Sequence, residues 1–255
     1  MLFRRTGLLC AALLLAAVSS GTRASAQQAS PGAAGHAKSS EEIERIIRDY
    51  LLKNPEIVIE AIEAYKKRAE EADRVAVARV LKDQRETIRN DPSSPVGGNP
   101  KGDVTVVEFF DYRCGVCKRV HDTVAELVRT DGKIRRVYKE WPILGPQSVA
   151  AARAALAARN QGKYILFHDA LMQHRGRMGT DEIFGIAKRV GLDPDRLRKD
   201  MGSPEIDTIL RRNYELAEAL KINGTPSFVI GDELIPGAMD LNGLRSVVRK
   251  ARKKG

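Results

Sequence analysis

The apolar run VTVVEFF at residues 104–110, with the segment that follows it, restricts the fold most strongly. Seven residues with a single charge are typical of a strand buried inside a parallel sheet. After a short turn, apolar residues recur at helical spacing from Cys114 to Val128, and a second strand is predicted at 134–141. Strand, helix and strand in this order predict an α/β domain.

The rest of this domain is predicted to be mostly helical. About eighty residues after the second strand carry helical patterns, punctuated by capping residues placed before prolines. Short strands are then predicted at 227–230 and 234–235, followed by a last helix from about Leu241. The predicted class is therefore an α/β domain, over residues 104–255, with a helical insertion.

The first residues have the pattern of an export signal. Two arginines precede an apolar stretch at 8–18, and an Ala-Ser-Ala motif follows it. This predicts a signal peptide over residues 1–26 and a periplasmic location. The stretch is shorter than the about 20 apolar residues of a membrane helix. Cys10 would leave with the signal, so the mature chain would carry only Cys114 and Cys117.

Three further segments are predicted between the signal and the α/β domain. Residues 27–38 lack any apolar period and are predicted to be a disordered lead-in. Residues 39–90 are predicted to form helices, and residues 91–103, rich in Pro, Gly and Ser, a linker. One helix carries an apolar seam at intervals of four and three, which favours self-association over packing on its own domain. The seam comprises Val58, Ile62, Tyr65, Ala69, Ala72 and Ala76.

Charge limits the partners. The formal charge is +10, and three arginines leave with residues 1–26, so the mature chain would carry +7. Nucleic acid is not expected as a partner for an exported protein. The basic residues near the carboxyl terminus are interpreted as a solvated face, with weak attraction to anionic lipid or acidic substrates as the alternative.

The sequence Cys-Gly-Val-Cys is the candidate reactive motif. The first sulfur would lie at a helix N-terminus, where unpaired N–H groups and the helix dipole favour thiolate. Cys114 is therefore the candidate nucleophile, and Cys117, one turn later, the resolving thiol. A structural bridge is disfavoured, because a four-residue loop would restrict the unfolded chain very little.

Metal binding and a buried acid remain open from the residues alone. Cys114, Cys117 and His121 share a helix face, but a closed zinc site needs four ligands. We therefore predict neither a metal nor a cofactor, with copper(I) on the two thiolates as the alternative. His168 is interpreted as a surface or packing residue. Glu108 would be costly if buried and unpaired. It is either a proton carrier for Cys117 or a residue at the solvent-facing edge of its strand.

Several motifs together resemble one family. The segments VVEFFDYRCGVCK, KEWPILGPQS, FHDALM and GTPSFVIG resemble the DsbA-like branch of the thioredoxin superfamily across roughly residues 100–252. The segment DYLLKNPEIVIEAIEAYKKR resembles the N-terminal extension of ScsC-type (suppressor of copper sensitivity) periplasmic disulfide proteins. The resemblance implies a thioredoxin fold with a helical domain inserted at about 145–223.

The resemblance also assigns roles to residues. It implies that Cys114 is the exposed nucleophile, that Cys117 is its buried partner and that Glu108 is the family's buried acid. It places Thr225 and Pro226 in a cis-proline loop that faces the thiols, where a substrate peptide would bind. The dipeptide Gly115 and Val116 between the cysteines departs from the Pro-His of the strongest oxidants. The disulfide is therefore expected to be less oxidising than theirs.

These features predict an exported thiol-disulfide oxidoreductase. Its main activity would be disulfide isomerisation or reduction on unfolded or misoxidised exported proteins, with a membrane redox partner to supply electrons. Residues 39–90 would join catalytic domains into a homo-oligomer. The alternatives are a monomeric DsbA-like dithiol oxidase and a copper-binding or copper-protective protein.

Overall fold

The computed structural model describes residues 38–253, so the predicted signal peptide and nearly all of the predicted lead-in lie outside the described residues. The described chain divides into two units, of which the first ends at Val58 and the second begins at Ile59. Within residues 38–253, no helix has the length and apolar character needed to cross a membrane.

The first unit contains helix α1 (Ser40–Lys53) and the start of helix α2 (Glu56–Asp83). Ser39 caps α1, since its hydroxyl accepts a hydrogen bond from the Glu42 N–H at 3.2 Å. None of the residues of α1 is buried. Its large apolar side chains are between 36 and 75% exposed, which leaves an apolar stripe open on the helix: Ile43, Ile46, Ile47, Tyr50, Leu51 and Leu52.

The second unit begins with the rest of α2 and the short helix α3 (Arg85–Arg89). Their apolar residues Leu81 and Ile88 are 5% and 1% exposed and belong to a core cluster with strand residues of the α/β domain. The last part of the segment predicted for self-association therefore packs on the α/β domain. A tertiary contact of this kind leaves no periodic signal in a charged helix.

The segment predicted as a linker, residues 91–103, contains a strand instead. Strand β1 (Val96–Gly98) pairs antiparallel with β3 (Ile134–Glu140). Gly98 has a φ of 68°, and a Cβ there would lie 2.5 Å from the Ile134 carbonyl oxygen. Glycine is thus required for the close approach of the two backbones. A three-residue strand with two glycines has no apolar alternation, so composition alone suggested a linker.

The sheet has five strands in the order β1-β3-β2-β4-β5. Strand β2 (Val104–Phe110) lies at its centre, parallel to β3 and antiparallel to β4 (Ser227–Ile230). Strand β5 (Glu233–Pro236) closes a hairpin with β4. The parallel β2 and β3 are joined by helix α4 (Gly115–Asp131), because parallel neighbours need a crossover connection and cannot be joined by a tight turn.

Helices cover both faces of the sheet. Between β3 and β4 the chain forms six helical elements, and after β5 it ends in helix α10 (Leu241–Arg252). Side chains of α4 and α10 pack on one face around Val106, whereas α2, α3 and residues of α9 pack on the other around Val107. The inserted elements are α5 (Pro146–Ala158), a 3-10 turn (Arg159–Gln161), α6 (Tyr164–Gln173), α7 (Thr180–Arg189), α8 (Pro194–Asp200) and α9 (Pro204–Ala219).

The inserted helices have a core of their own, which continues to the end of the central strand. Alanines of α5 pack with α6, α7, α8 and α9, and this cluster also contains Phe110, Tyr112 and both cysteines. The predicted class, an α/β thioredoxin fold with an inserted helical domain, is confirmed. The cysteines lie where the insertion meets the sheet.

Candidate active site

Cys114 lies at the N-cap position of α4, directly after the turn that follows β2. Its Sγ accepts a hydrogen bond from the Cys117 backbone N–H at 3.3 Å and, in the thiol form, donates one to the Thr225 carbonyl at 3.2 Å. Both cysteines are free thiols. Cys114 is 7% exposed and Cys117 1% exposed, so the first sulfur is the more accessible.

The two thiols have opposite proton affinities. A hydrogen bond with the Cys117 side chain, supported by the backbone N–H groups of Cys117 and Val116, lowers the pKa of Cys114 from 9.0 to about 5. The same hydrogen bond, together with burial, raises the pKa of Cys117 well above its usual range. At neutral pH the site therefore holds a thiolate at Cys114 and a protonated thiol at Cys117, which is the division a nucleophile and a resolving thiol require.

The loop around Thr225 forms the other side of the site. The peptide bond between Thr225 and Pro226 is cis. Ser227 follows as the first residue of β4. Its hydroxyl donates a hydrogen bond to the Gly224 carbonyl at 2.8 Å, which stabilises the turn formed by residues 224–227. The Thr225 carbonyl thereby faces Cys114.

The residues between the cysteines offer no charged group to the thiolate. A Cβ on Gly115 would meet only the tip of the Arg119 side chain, at 3.6 Å. Glycine is therefore not demanded by space at this position. Val116 is half-buried and packs against the cluster of the inserted helices. Backbone N–H groups, not side chains, are thus what these positions offer the sulfur.

Glu108 is buried in the centre of β2, at 1% exposure, which removes the solvent-facing interpretation. It is not unpaired, however. Its carboxylate accepts a hydrogen bond from the Arg136 guanidinium on β3 at 2.7 Å, and Arg136 also lies 4.6 Å from the centre of the Tyr138 ring. Nothing in the sequence indicates this partner, because Arg136 lies 28 residues after Glu108. The Glu108 charge is one of the influences that raise the pKa of Cys117, so the two groups are electrostatically coupled.

Sequence reasoning missed a buried polar network at the end of β3. The hydroxyls of Tyr112 and Tyr164 donate to one oxygen of Glu140 at 2.8 and 2.7 Å. Burial raises the pKa of Glu140 to about 8, against the effect of these hydrogen bonds. The signal in the sequence was the pair Lys139 and Glu140 at the end of the second predicted strand, which already carries Arg135 and Arg136. Such residues need partners.

Asp111 holds the turn that carries the cysteines. Its carboxylate accepts hydrogen bonds from the backbone N–H of Arg113 at 2.7 Å, the N–H of Leu144 at 2.9 Å and the hydroxyl of Ser148 at 2.8 Å. These contacts join the strand end to the start of the inserted helices. Asp111 therefore holds the turn before Cys114 against the start of the inserted helices.

A groove of about 610 Å³ is lined by Tyr112 and Arg113, the two residues before the first cysteine, and by residues of the inserted helices and the segment after α6. Its charged lining residues are Arg113, Lys118, Arg175 and Arg177, and no carboxylate belongs to the lining within the described residues. The Lys118 ammonium donates to the carbonyls of Leu171 and His174, both at 2.7 Å. Burial, followed by the charge of Arg175, lowers the pKa of Lys118 to about 8. The surface next to the thiolate is therefore positively charged.

Comparisons with known proteins agree with this geometry. The family model described as Thioredoxin matches residues 90–250. The chain belongs to the thioredoxin family. A second model, described as the copper resistance protein ScsC N-terminal domain, matches residues 41–72. This thioredoxin-family chain has the fold of DsbA-like and ScsC-type proteins, as the sequence motifs predicted.

Solved structures of relatives cover different shares of the chain. A thioredoxin-like oxidoreductase from Silicibacter pomeroyi DSS-3 is 51% identical with a TM-score of 0.65, over 66% of this chain and 98% of that one. ScsC from Proteus mirabilis in a transitional conformation is 27% identical with a TM-score of 0.64, over 86% and 99%. A curated relative, Na(+)/H(+) antiporter NhaA 1 of Salinispora arenicola (strain CNS-205), is 30% identical over 158 residues. Those residues are 61% of this chain and 24% of that protein, so the chain matches only a part of it.

Proposed function

We propose that the protein is an exported thiol-disulfide oxidoreductase that acts chiefly as a disulfide isomerase or reductase. The observation that carries the proposal is the pair of opposite pKa shifts at Cys114 and Cys117, at the start of α4 and facing the Thr225 carbonyl. A nucleophilic thiolate beside a protonated thiol is suited to disulfide exchange.

In the proposed reaction, the Cys114 thiolate attacks one sulfur of a substrate disulfide. The S–S bond of the substrate breaks, a mixed disulfide forms, and the second substrate sulfur leaves as a thiolate that takes up a proton. In isomerisation, that substrate thiolate attacks another disulfide of the same substrate chain. A new substrate disulfide forms, and the thiolate released by this exchange finally attacks the mixed disulfide and displaces Cys114. In reduction, Cys117 loses its proton, attacks Cys114 and releases the substrate, so the two electrons come from the dithiol.

Glu108 is proposed to govern the proton of Cys117. Its charge favours the protonated thiol while the site waits for substrate, and it is the buried carboxylate that acts on this sulfur. The Arg136 partner keeps Glu108 within a compensated pair. We propose that the proton of Cys117 moves toward Glu108 as the second thiol attacks.

The groove and the Thr225 loop are the proposed substrate-binding surface. An extended peptide lying along Thr225 and Pro226 would present its disulfide to Cys114, and Gly115 and Val116 would bound the site on the other side. The expected substrates are unfolded or misoxidised exported proteins, and a membrane redox partner is expected to keep the cysteines reduced.

Self-association through residues 39–90 is proposed to hold catalytic domains together. Support comes from the apolar stripe of α1, which is exposed along its length, and from the match of residues 41–72 to the ScsC N-terminal model. Exposed isoleucines at helical spacing are typical of a surface that another chain covers. Export is proposed from the sequence of residues 1–26.

A dithiol oxidase is the second candidate, and one observation favours it. A pKa of about 5 at Cys114 stabilises the reduced protein, which makes its disulfide a better oxidant. A copper-protective role is the third candidate, supported by the description of the family model that matches residues 41–72. Copper(I) would then be held by the two thiolates.

The test is recovery of activity from a scrambled multi-disulfide protein in a glutathione buffer. The Ile43→Glu and Ile47→Glu double variant places charge on the apolar stripe of α1, where both side chains are exposed and the helix can still form. Arg45→Glu, on the same helix but outside the stripe, is the matched control. We expect recovery by the unchanged protein and the control, and loss of both recovery and self-association in the double variant.

Two outcomes would separate the candidates. Rapid oxidation of reduced peptides with no recovery of the scrambled protein would identify an oxidase. Stoichiometric copper(I) binding that is lost in Cys114→Ser, without measurable exchange activity, would identify the copper-protective protein.

A further inference from the structure

A cluster of three side chains lies between the helix that carries the cysteines and the inserted helices. His121 comes from α4, one turn after Cys117, and His168 and Asp169 come from α6. One ligand atom from each lies within 4.8 Å of the others, and His121 Nε2 is 3.4 Å from Asp169 Oδ1. Exchange chemistry at the thiols uses none of the three.

Hydrogen bonding fixes which atom of His168 is free. His168 Nδ1 lies 3.0 Å from the Tyr112 hydroxyl, so this ring nitrogen has its hydrogen-bond partner. The other ring nitrogen, Nε2, is left over. Among the residues that the structure describes, no hydrogen-bond partner lies within reach of this atom, although His168 is fully buried.

His121 also has an unsatisfied atom, since its Nδ1 is buried without a partner in the described part of the chain and the residue is 3% exposed. Its other ring nitrogen, Nε2, is the one that lies 3.4 Å from Asp169 Oδ1 and could bind an ion with it. Two buried imidazoles with unsatisfied nitrogens, from two different helices, are a costly arrangement for packing alone. The contact of His168 Nδ1 with Tyr112 is, by contrast, the outer contact that orients a metal-binding histidine.

The charges close to the cluster have both signs, because those of Arg136, Lys118 and Arg175 act on His121 together with that of Asp122. Neutral imidazole is the form that binds a metal ion. Arg136 would oppose a nearby cation, but its charge is compensated by the ion pair with Glu108. Asp169 supplies the negative charge.

We propose that His121, His168 and Asp169 bind a divalent transition metal ion of the zinc type. Imidazole nitrogen and carboxylate oxygen are ligands that Zn²⁺ accepts at about 2.0–2.2 Å. Neighbouring ligand atoms in a tetrahedral site are then about 3.3 Å apart, so the 3.4 Å pair already fits. The two ligand atoms that are farthest apart, at no more than 4.8 Å, would have to approach by at most about 1.5 Å when the ion binds.

The ion would have an open side and a structural consequence. The Asp169 side chain is 41% exposed, so the site can be reached from solvent and a water molecule can complete the coordination. The ligands come from α4 and α6, so the ion would fasten the cysteine helix to the inserted domain. This site is separate from copper(I) on the thiolates and uses harder ligands.

The test uses the full-length chain with Cys10→Ser, Cys114→Ser and Cys117→Ser, which removes all three thiols. Zn²⁺ is titrated in competition with a chromophoric chelator at pH 7.5, and Co²⁺ is added separately to record its visible absorption. We expect one ion per chain, a tetrahedral Co²⁺ spectrum and a rise in Tm on adding Zn²⁺.

Substitution of one ligand identifies the site. Asp169→Asn, at a half-exposed position that tolerates the change, is expected to weaken Zn²⁺ binding more than about tenfold. Glu126→Gln, an exposed carboxylate further along α4, is the matched control and is expected to leave the affinity nearly unchanged. The proposal is overturned if the thiol-free protein binds no Zn²⁺, or if Asp169→Asn and Glu126→Gln bind it equally well. Neither result bears on disulfide exchange, which is measured with the cysteines in place.

Discussion

Lowering the pH from 8 to 6 should reduce the contribution of Cys114 to the free energy of unfolding of the reduced protein. The pKa of this thiol falls from 9.0 to about 5 on folding. A group with a depressed folded pKa contributes stability that is complete above the unfolded pKa and is lost as the pH falls through the folded value. The contribution of Cys114 is therefore complete above pH 9 and disappears near pH 5.

The size of the effect follows from the two pKa values. Each pH unit between them changes the free energy of unfolding by about 1.36 kcal/mol. Counting the partial ionisation at each end, the reduced protein should lose about 2.6 kcal/mol between pH 8 and pH 6. At pH 7 the thiolate contributes about 2.7 kcal/mol, which corresponds to a disulfide about 60 mV more oxidising than one formed from an unperturbed thiol.

The assay is urea unfolding of the reduced protein at several pH values, with Cys114→Ser as the matched control. The variant keeps every other titrating group, so the difference between the two unfolding free energies isolates this thiol. The difference should shrink by about 2.6 kcal/mol from pH 8 to pH 6. A difference that changes by less than about 1 kcal/mol over this range would refute a thiolate at Cys114.

Three further predictions concern the surroundings of the site. Glu108→Gln leaves Arg136 buried without its counter-ion, so the free energy of unfolding should fall by about 3–5 kcal/mol, and a loss below about 1 kcal/mol would contradict a buried ion pair. Leu81→Ala should cost about 2–4 kcal/mol in the same assay. Val75→Ala, at a position 61% exposed, should change stability by less than about 0.5 kcal/mol. Arg175→Gln should slow exchange with acidic disulfide peptides but not with neutral ones, and high salt should abolish the difference, whereas an equal effect on both peptides would argue against charge attraction in the groove.

The elements that depend on local patterns could be predicted from the sequence. The apolar run of β2 and the helical spacing after Cys114 predict the strand and helix that the structure has, because both patterns arise within one element. The same holds for the helix caps, such as Ser39 on α1. The α/β class and the position of the helical insertion then follow from the order of the elements and from the motifs.

The missing parts depend on contacts between distant segments. Strand β1 is defined by its pairing with β3. Two of its three residues are glycines, which have no side chains and so give no apolar alternation. Lys139 is buried because Asp91, 48 residues earlier, lies 3.2 Å from its ammonium. His168 was interpreted as a surface or packing residue, since nothing local shows that His121 and Asp169 lie beside it in the cluster. Periodicity cannot reveal partners of this kind.

The most direct test of the account is to trap the first step of exchange. The reduced Cys117→Ser and Cys114→Ser variants are each mixed with a disulfide-linked peptide, and the adducts are identified by mass spectrometry after digestion. The account predicts a stable mixed disulfide on Cys114 in the first variant and a far slower reaction in the second. Equal rates at the two cysteines, or no adduct on Cys114, would contradict it.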